Sequence, residues 1–290
     1  MHTRPCLAIA VLWLALLAQA VAQTRLDKPQ LVSTEWLASR LNDPNLRIVD
    51  ARGSMPAYLQ EHIPNAIFLH VETLRLSRGG VPGQLMPAER LAEIFGGMGI
   101  SPDHEVVVYS STEDAFASAT YVALALISIG HQRVGVLDGG FEKWKAENRP
   151  LTNKIPQFEP RAYPPRPDTS LFRTLEWIKQ HLDSPESVQL LDARAPQQYQ
   201  AGHIPTAQNL FLREVLRPEG NISVWRNPDE IQAKLKHLGI DLQRTIVTYC
   251  NTGREASQLW FTLRYVLGIE AYLYDGSWVE WSAKGMPVER

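Results

Sequence analysis

Short runs of consecutive apolar, mostly β-branched residues recur along this chain, and stretches with helical spacing lie between them. Apolar residues at consecutive positions predict strands that are buried on both faces of a parallel sheet. The predicted strands are 48–49, 106–109, 134–137, 190–191, 245–249 and 271–274. The predicted helices are 34–41, 87–98, 116–129, 174–181, 228–238 and 255–267. The alternation predicts an α/β fold.

The same unit occurs twice in the chain. Asp-Ala-Arg stands at 50–52 and at 192–194, and His-Ile-Pro-x-Ala stands at 62–66 and at 203–207. Such a repeat predicts two tandem α/β domains, each a small parallel sheet flanked by helices. The five prolines of 153–170 favour extended backbone and predict a linker. The expected domains are therefore 23–152 and 171–290.

The N-terminal 22 residues have the pattern of a bacterial secretory signal peptide. Arg4 precedes an apolar run over 7–18, and the small-x-small sequence Ala20-Val21-Ala22 follows it. We expect cleavage after Ala22 or Ala20, a periplasmic or secreted protein, and no stable membrane anchor after cleavage. An uncleaved membrane anchor is the alternative, since the apolar run is marginally long enough to span a bilayer.

Composition narrows the class of function. The 29 basic and 31 acidic residues give a net charge of −2, so no basic excess favours a nucleic-acid partner. The chain has two cysteines, Cys6 and Cys250, which excludes a disulfide scaffold and a cysteine-rich metal site. Removal of the signal peptide would leave Cys250 as the sole thiol.

Cys250 has the sequence environment of a reactive thiol. It directly follows a predicted strand, and the loop Asn251-Thr252-Gly253-Arg254-Glu255 leads into a helix. Loop N–H groups, the helix N-terminus and the charge of Arg254 would each favour a thiolate, so we predict a lowered Cys250 pKa. The alternative is a small, inert, buried side chain at a strand end.

These motifs together resemble those of tandem rhodanese-type sulfurtransferases, the family of thiosulfate and mercaptopyruvate sulfurtransferases. Tyr199-x-x-x-His203-Ile204-Pro205-x-Ala207 is similar to the N-terminal signature of the family, although Thr206 stands where glycine is usual, and Asn65 departs likewise in the first copy. The segment 271–281 is similar to the C-terminal signature, and Cys250-x-x-Gly253 to the start of the active loop.

The resemblance implies a sulfurtransferase that works through a Cys250 persulfide. A small anionic donor such as thiosulfate would give its sulfane sulfur to Cys250, and cyanide or a thiol, including a protein thiol, would accept it. The expected substrate-binding residues are Arg194, Asn251, Thr252, Gly253 and Arg254. Asp192 and Glu255 are expected to organise the loop. The reaction needs no metal and no organic cofactor.

The loop sequence departs from well-known members of the family. Loops of the thiosulfate type are often strongly basic, whereas mercaptopyruvate-type loops usually carry Gly-Ser-Gly-Val-Thr after the cysteine. Here the single basic residue, Arg254, is offset by Glu255. We favour thiosulfate as donor, with 3-mercaptopyruvate as the alternative.

The first copy is expected to be catalytically silent, because Ser110 stands where Cys250 stands in the second copy. A serine hydroxyl cannot form a persulfide.

A cysteine phosphatase is disfavoured because its arginine follows the cysteine after five residues, and Arg254 comes too early. A sulfur carrier without turnover, or a sulfide-responsive binding module on the same fold, remains the alternative function.

Overall fold

The computed structural model describes residues 25–182, 184 and 186–290, and the predicted signal peptide lies outside this part of the chain. The first domain is built on a five-stranded parallel sheet with the spatial order β1-β7-β6-β2-β3. These strands are β1 Gln30–Val32, β2 Leu46–Asp50, β3 Ala66–Phe68, β6 Glu105–Tyr109 and β7 Val134–Leu137. Every residue of β2, β6 and β7 is buried, which explains their continuous apolar sequence.

Helices cover both faces of this sheet. They are α1 Thr34–Ser39, α2 Met55–Gln60, α3 Ala88–Gly97, α4 Ala117–Ser128 and α5 Gly140–Ala146. The side chain of Ser33 caps α1 by accepting a hydrogen bond from the Trp36 N–H. All twelve residues of α4 are buried, because this helix lies between its own sheet and the second domain.

The second domain repeats the plan with a four-stranded parallel sheet of order β13-β12-β8-β9. The strands are β8 Val188–Asp192, β9 Gln208–Asn209, β12 Thr245–Tyr249 and β13 Ala271–Leu273. The helices are α6 Leu175–His181, α7 Pro196–Ala201, α8 Pro228–His237, α9 Arg254–Phe261 and α10 Ser277–Ala283. The predicted fold of two small parallel sheets flanked by helices is confirmed.

The structure differs from the sequence prediction in one helix and in several additional elements, which include the strands β1, β3 and β9 and the helices α2, α5, α7 and α10. The helix expected over 255–267 is α-helical only as far as Phe261 and continues as a π-helix over Thr262–Val266. Each domain also carries a two-stranded antiparallel hairpin that we did not predict. The hairpins are β4 Arg75–Arg78 with β5 Val81–Leu85, and β10 Leu216–Glu219 with β11 Ile222–Trp225.

The proline-rich segment 153–170 is mostly without regular structure, and it is fixed along the first domain. The Arg161 N–H donates to the Gly96 carbonyl, and the Arg166 N–H donates to the Ile129 carbonyl. Tyr163 is buried, and its hydroxyl hydrogen-bonds the ring of His131. The segment therefore packs as a strap rather than as a free tether.

The two domains share one hydrophobic core. Helices α4 and α9 pack against each other at its centre, where the hydroxyls of Thr120 and Ser257 lie 2.9 Å apart. On either side, each hairpin binds the other domain. The Leu85 N–H donates to Asp275 at 2.7 Å, and the Trp225 N–H donates to Asp138 at 3.0 Å. The hairpins thus form a reciprocal pair of contacts across the interface.

In the part of the chain that the structure describes, no helix combines the length and apolar character that crossing a membrane requires.

Candidate active site

Cys250 is the first residue after β12, at the carboxyl edge of the second sheet. Its backbone is held from α10: the Cys250 N–H donates to the Ser277 hydroxyl, and the Trp278 N–H donates to the Cys250 carbonyl. The next residue is held likewise, since the Val279 N–H donates to the Asn251 carbonyl at 3.0 Å. The start of the loop is therefore anchored on α10, the helix that directly follows Asp275 and Gly276.

The loop wraps its backbone N–H groups around the Cys250 sulfur. The N–H groups of Ala256, Thr252 and Glu255 donate towards the thiol and favour its charged form. Gly253 makes this turn possible, because its φ of +84° suits a residue without a side chain. A Cβ at Gly253 would also lie 2.5 Å from the Asp275 carboxylate. Of the predicted loop residues, Thr252 and Glu255 thus act on the thiol through their backbone N–H groups, together with Ala256.

The prediction of a lowered Cys250 pKa is wrong for the free protein. The side chain is only 1% exposed, and burial together with the nearby Glu255 carboxylate raises the pKa of the thiol to about 11. Desolvation outweighs the three N–H donors, because transfer of a thiolate out of water costs more than these hydrogen bonds return. The resting group at neutral pH is a thiol.

Glu255 and Arg254 occupy the first turn of α9. Burial is the main cause that raises the pKa of Glu255, and the charges of Arg254, Arg194 and Arg213 oppose it. We predicted that the positive charge of Arg254 would lower the pKa of Cys250. In the structure, this charge acts on Glu255 instead and opposes the rise in the pKa of that carboxyl group.

Arg194 and Asp192 form a buried ion pair at the end of β8. The guanidinium Nε and Nη2 bind both carboxylate oxygens at 2.6–3.0 Å, and Nη2 also donates to the Gly202 carbonyl. Because β8 pairs with β12, this ion pair lies at the same sheet edge as Cys250. The first copy holds the same pair, Asp50 with Arg52. The Asp-Ala-Arg motif is thus a structural unit of both copies, and donor binding by Arg194 stays a prediction.

A cavity of about 550 Å³ lies between the loops of the two domains. Arg254, Glu255 and Arg213 line it from the second domain, and Glu113 and Asp114 line it from the first. Arg213 crosses the interface and donates to the Thr112 carbonyl at 3.2 Å and to that of Glu113. No motif marked Arg213 in the sequence, because it lies in the short 3-10 helix Leu212–Val215 that directly precedes β10.

A larger cavity, of about 640 Å³, lies beside the β4–β5 hairpin and is lined largely by apolar side chains. Asp275 lines it, but no residue of the 250–255 loop does. The smaller cavity therefore borders the candidate site through Arg254 and Glu255, whereas Cys250 itself is buried and does not line it.

The equivalent loop of the first domain is arranged differently. The Ser110 hydroxyl donates to Asp114 at 3.1 Å, and the Thr112 N–H donates to Glu142. Ala115 and Phe116 take positive φ angles of 52° and 63°. In the first domain, the carboxylates of Asp114 and Glu142 thus accept hydrogen bonds from this loop. In the second domain, the N–H groups of the equivalent loop donate towards the Cys250 sulfur.

Both residues that depart from the family's usual glycine take the backbone conformation that favours glycine. Asn65 has a φ of 65° and Thr206 a φ of 67°. Asn65 and Thr206 therefore replace the usual glycine while the backbone keeps the left-handed conformation that glycine favours.

Comparison with known proteins agrees with this architecture. The family model described as "Rhodanese-like domain" matches residues 33–147 and 174–284. The chain is 31% identical over 281 residues to the sulfur carrier protein TtuD of Thermus thermophilus, covering 90% of this chain and 96% of TtuD. It is 30% identical over 281 residues to the thiosulfate sulfurtransferase of Bos taurus, covering 89% of this chain and 93% of that protein.

Among solved structures, the chain is similar to SseA from Escherichia coli, which is described as a 3-mercaptopyruvate sulfotransferase with the rhodanese fold. The TM-score is 0.76 at 24% identity, over 88% of this chain and 99% of SseA. The two matched domains, the repeated architecture and the cysteine loop at the sheet edge lead to one assignment. The chain belongs to the rhodanese family of sulfurtransferases, with two rhodanese-like domains in tandem.

Proposed function

We propose that this protein transfers the sulfane sulfur of thiosulfate, through a persulfide on Cys250, to cyanide or a thiol. The observation that carries the proposal is the set of three backbone N–H groups, from Thr252, Glu255 and Ala256, that donate towards the Cys250 sulfur. Fixed donors of this kind stabilise negative charge on sulfur without reorganisation during the reaction.

In the first half-reaction, the Cys250 sulfur attacks the outer sulfur of thiosulfate. A sulfur–sulfur bond forms to Cys250, the bond within thiosulfate breaks, and sulfite leaves with the bonding electron pair. Because burial keeps Cys250 protonated at rest, its proton leaves during this step, to sulfite or to solvent. The rate should therefore rise with pH over the range in which donor and fold are stable.

In the second half-reaction, cyanide or a thiolate attacks the outer sulfur of the persulfide. Cys250 leaves with the electron pair, as a thiolate held by the same three N–H groups. Arg213 and Arg254 line the cavity and supply positive charge for an anionic donor. Arg194, at the same sheet edge, adds a third cation whose charge reaches Glu255.

Intact mass of the mature protein tests the proposal directly. Incubation with thiosulfate should add about 32 Da, the mass of one sulfur, on Cys250, and cyanide should remove it. Cys250→Ser should gain no sulfur, whereas Ser110→Ala should behave as the unaltered protein does. Turnover by Cys250→Ser would refute the assignment. A gain with 3-mercaptopyruvate but not with thiosulfate would correct the donor.

A sulfur carrier without steady-state turnover is the second candidate function, and the likeness to TtuD favours it. A carrier would form the same persulfide, so the mass experiment does not separate the two. Continuous release of thiocyanate from thiosulfate and cyanide would identify an enzyme. A single stoichiometric burst would identify a carrier.

We further propose that the protein acts outside the bacterial cytoplasm after removal of residues 1–22. This rests on the signal-like sequence that ends at Ala22. The same mass spectrum tests it, because protein purified from a periplasmic extract should begin at Gln23 or Val21. Retention of Met1 in that extract would contradict cleavage.

A further inference from the structure

Arg75, on the hairpin of the silent domain, reaches across the interface to the Cys250 loop. Its Nη2 donates to the Thr252 carbonyl oxygen at 2.5 Å. The Arg75 side chain is only 7% exposed. A charged donor on a backbone carbonyl with little water nearby is among the stronger hydrogen bonds in proteins.

The first domain holds this guanidinium in a fixed orientation. Its Nε donates to the Gly83 carbonyl at 2.9 Å, and its Nη1 binds Glu72 at 2.7 Å. The group lies 5.3 Å from the centre of the Tyr121 ring. Gly83 leaves room for it, since a Cβ there would lie 2.4 Å from Nη2. Arg75 therefore contacts the loop with little further loss of side-chain freedom.

The contact fixes one peptide plane of the active loop. In a trans peptide, the carbonyl and the following N–H point in opposite directions. With the Thr252 carbonyl directed at Arg75, the N–H of Gly253 points the opposite way within the same plane, away from Arg75. The plane is held from its other end as well, because Gly253 packs against Asp275, which accepts a hydrogen bond from Leu85 of the same hairpin.

We propose that Arg75 is a positioning residue for sulfur transfer. It fixes the Thr252–Gly253 peptide, which lies between the N–H of Thr252 and those of Glu255 and Ala256, so that these three groups stay directed at the Cys250 sulfur and at the charge of its persulfide. The inference rests on the proposed function, and it gives the silent domain a part in the chemistry of the other domain.

The variants Arg75→Ala and Arg75→Lys test this role, with Arg78→Ala as matched control. Arg78 is on the same hairpin but is exposed, and the hydrogen bond from its side chain to the Leu85 carbonyl is long at 3.5 Å. Loss of a charged hydrogen bond in Arg75→Ala should lower kcat about tenfold while the KM for thiosulfate changes little. Arg75→Lys should recover part of kcat, because its ammonium can still donate to the Thr252 carbonyl. Arg78→Ala should match the unaltered protein.

Amide hydrogen exchange of residues 250–257 gives a readout that does not depend on activity. Arg75→Ala should exchange faster there, with unchanged exchange in β2 and β6 of its own domain. A wild-type kcat together with unchanged loop exchange in Arg75→Ala would overturn the inference. If Arg75→Ala does not fold, Arg75→Lys decides by the same two measurements. Absence of a persulfide in the unaltered protein would refute the proposed function instead. The exchange data would still show whether the contact between Arg75 and the Thr252 carbonyl holds the loop in place.

Discussion

The carboxylate of Glu255 lies close enough to Cys250 to raise the pKa of the thiol. The two residues are five positions apart, at the two ends of the active loop, and Glu255 is itself half-buried with a raised pKa. A negative charge at this place opposes the thiolate that sulfur transfer requires.

Glu255→Gln should therefore lower the pKa of Cys250. The thiolate fraction changes tenfold for each pKa unit, so the rate of persulfide formation at neutral pH should rise several-fold. The pH dependence of kcat/KM for thiosulfate, followed by sulfite release, measures the effect. Glu113→Gln is the control, since Glu113 lines the same cavity but is not among the main causes of the raised Cys250 pKa. A lower rate in Glu255→Gln at every pH would show that the carboxylate accepts the proton of the thiol instead.

A cysteine placed in the first domain should not replace Cys250. The double variant Ser110→Cys/Cys250→Ser should gain no sulfur from thiosulfate, because Asp114 and Glu142 take up hydrogen-bond donors of that loop and add negative charge. Intact mass after thiosulfate treatment measures this. A gain of one sulfur on residue 110 would show that the identity of the side chain alone, rather than the loop around it, silences the first copy.

Arg194→Ala should lose stability as well as any interaction with the donor. Asp192 is fully buried and would be left as an unpaired charge, which costs about 3–5 kcal/mol of unfolding free energy. Arg52→Ala breaks the matching pair in the first copy and should cost a similar amount, measured by urea unfolding. A kcat/KM that falls in folded Arg194→Ala and not in folded Arg52→Ala would support donor binding by Arg194. Equal kcat/KM values would limit Arg194 to its structural role.

Asp275→Asn should change how stability depends on pH. Burial raises the pKa of Asp275 to about 6, above its ordinary value near 3.8. A raised pKa means that the native state binds a proton more tightly, so this contribution to stability is present below about pH 4 and is lost as the pH rises through about 6. An asparagine carries no charge; its oxygen can accept from the Leu85 N–H, and its NH2 group can donate to the Tyr121 hydroxyl. The variant should gain stability relative to the unaltered protein between pH 4 and 7, by up to about 3 kcal/mol.

Urea unfolding of both proteins at several pH values measures the gain at Asp275. A difference in unfolding free energy that stays constant from pH 4 to 7 would contradict it.

The sheets were predictable because their sequence signal is local. The central strands are buried on both faces, so their apolar runs stand out, and the repeat gave each one a second copy to compare. The loop around Cys250 was visible for the same reason, since it lies between such a strand and a helix. The ends of the six predicted helices came within two residues, except where α9 becomes a π-helix at Thr262. The short helices α2, α5, α7 and α10 and the outer strands β1, β3 and β9 were not predicted, because two to seven residues carry little periodic signal.

The hairpins and the electrostatics were not predictable from local sequence. Gly79, Gly80 and Pro82 interrupt any alternation in the first hairpin, whose stability comes from contacts with the other domain. The roles of Arg75 and Arg213 were missed for the same reason. The residues that they bind across the interface, Thr252 and Thr112, are more than a hundred positions away in the sequence. The pKa of Cys250 depends on how completely the thiol is buried, which the sequence around it does not report.

The reciprocal hairpin contacts constrain how such a gene can change. One half of the duplicated coding sequence has a serine in place of the nucleophile, yet its hairpin still binds Asp275 and reaches Thr252. Deleting that half would leave the remaining half with an uncovered carboxylate, an exposed face of α9 and an unsupported loop. Mutation can therefore replace the cysteine in one half of the gene more readily than it can remove the half itself, so copies that lack the cysteine should persist in proteins built this way.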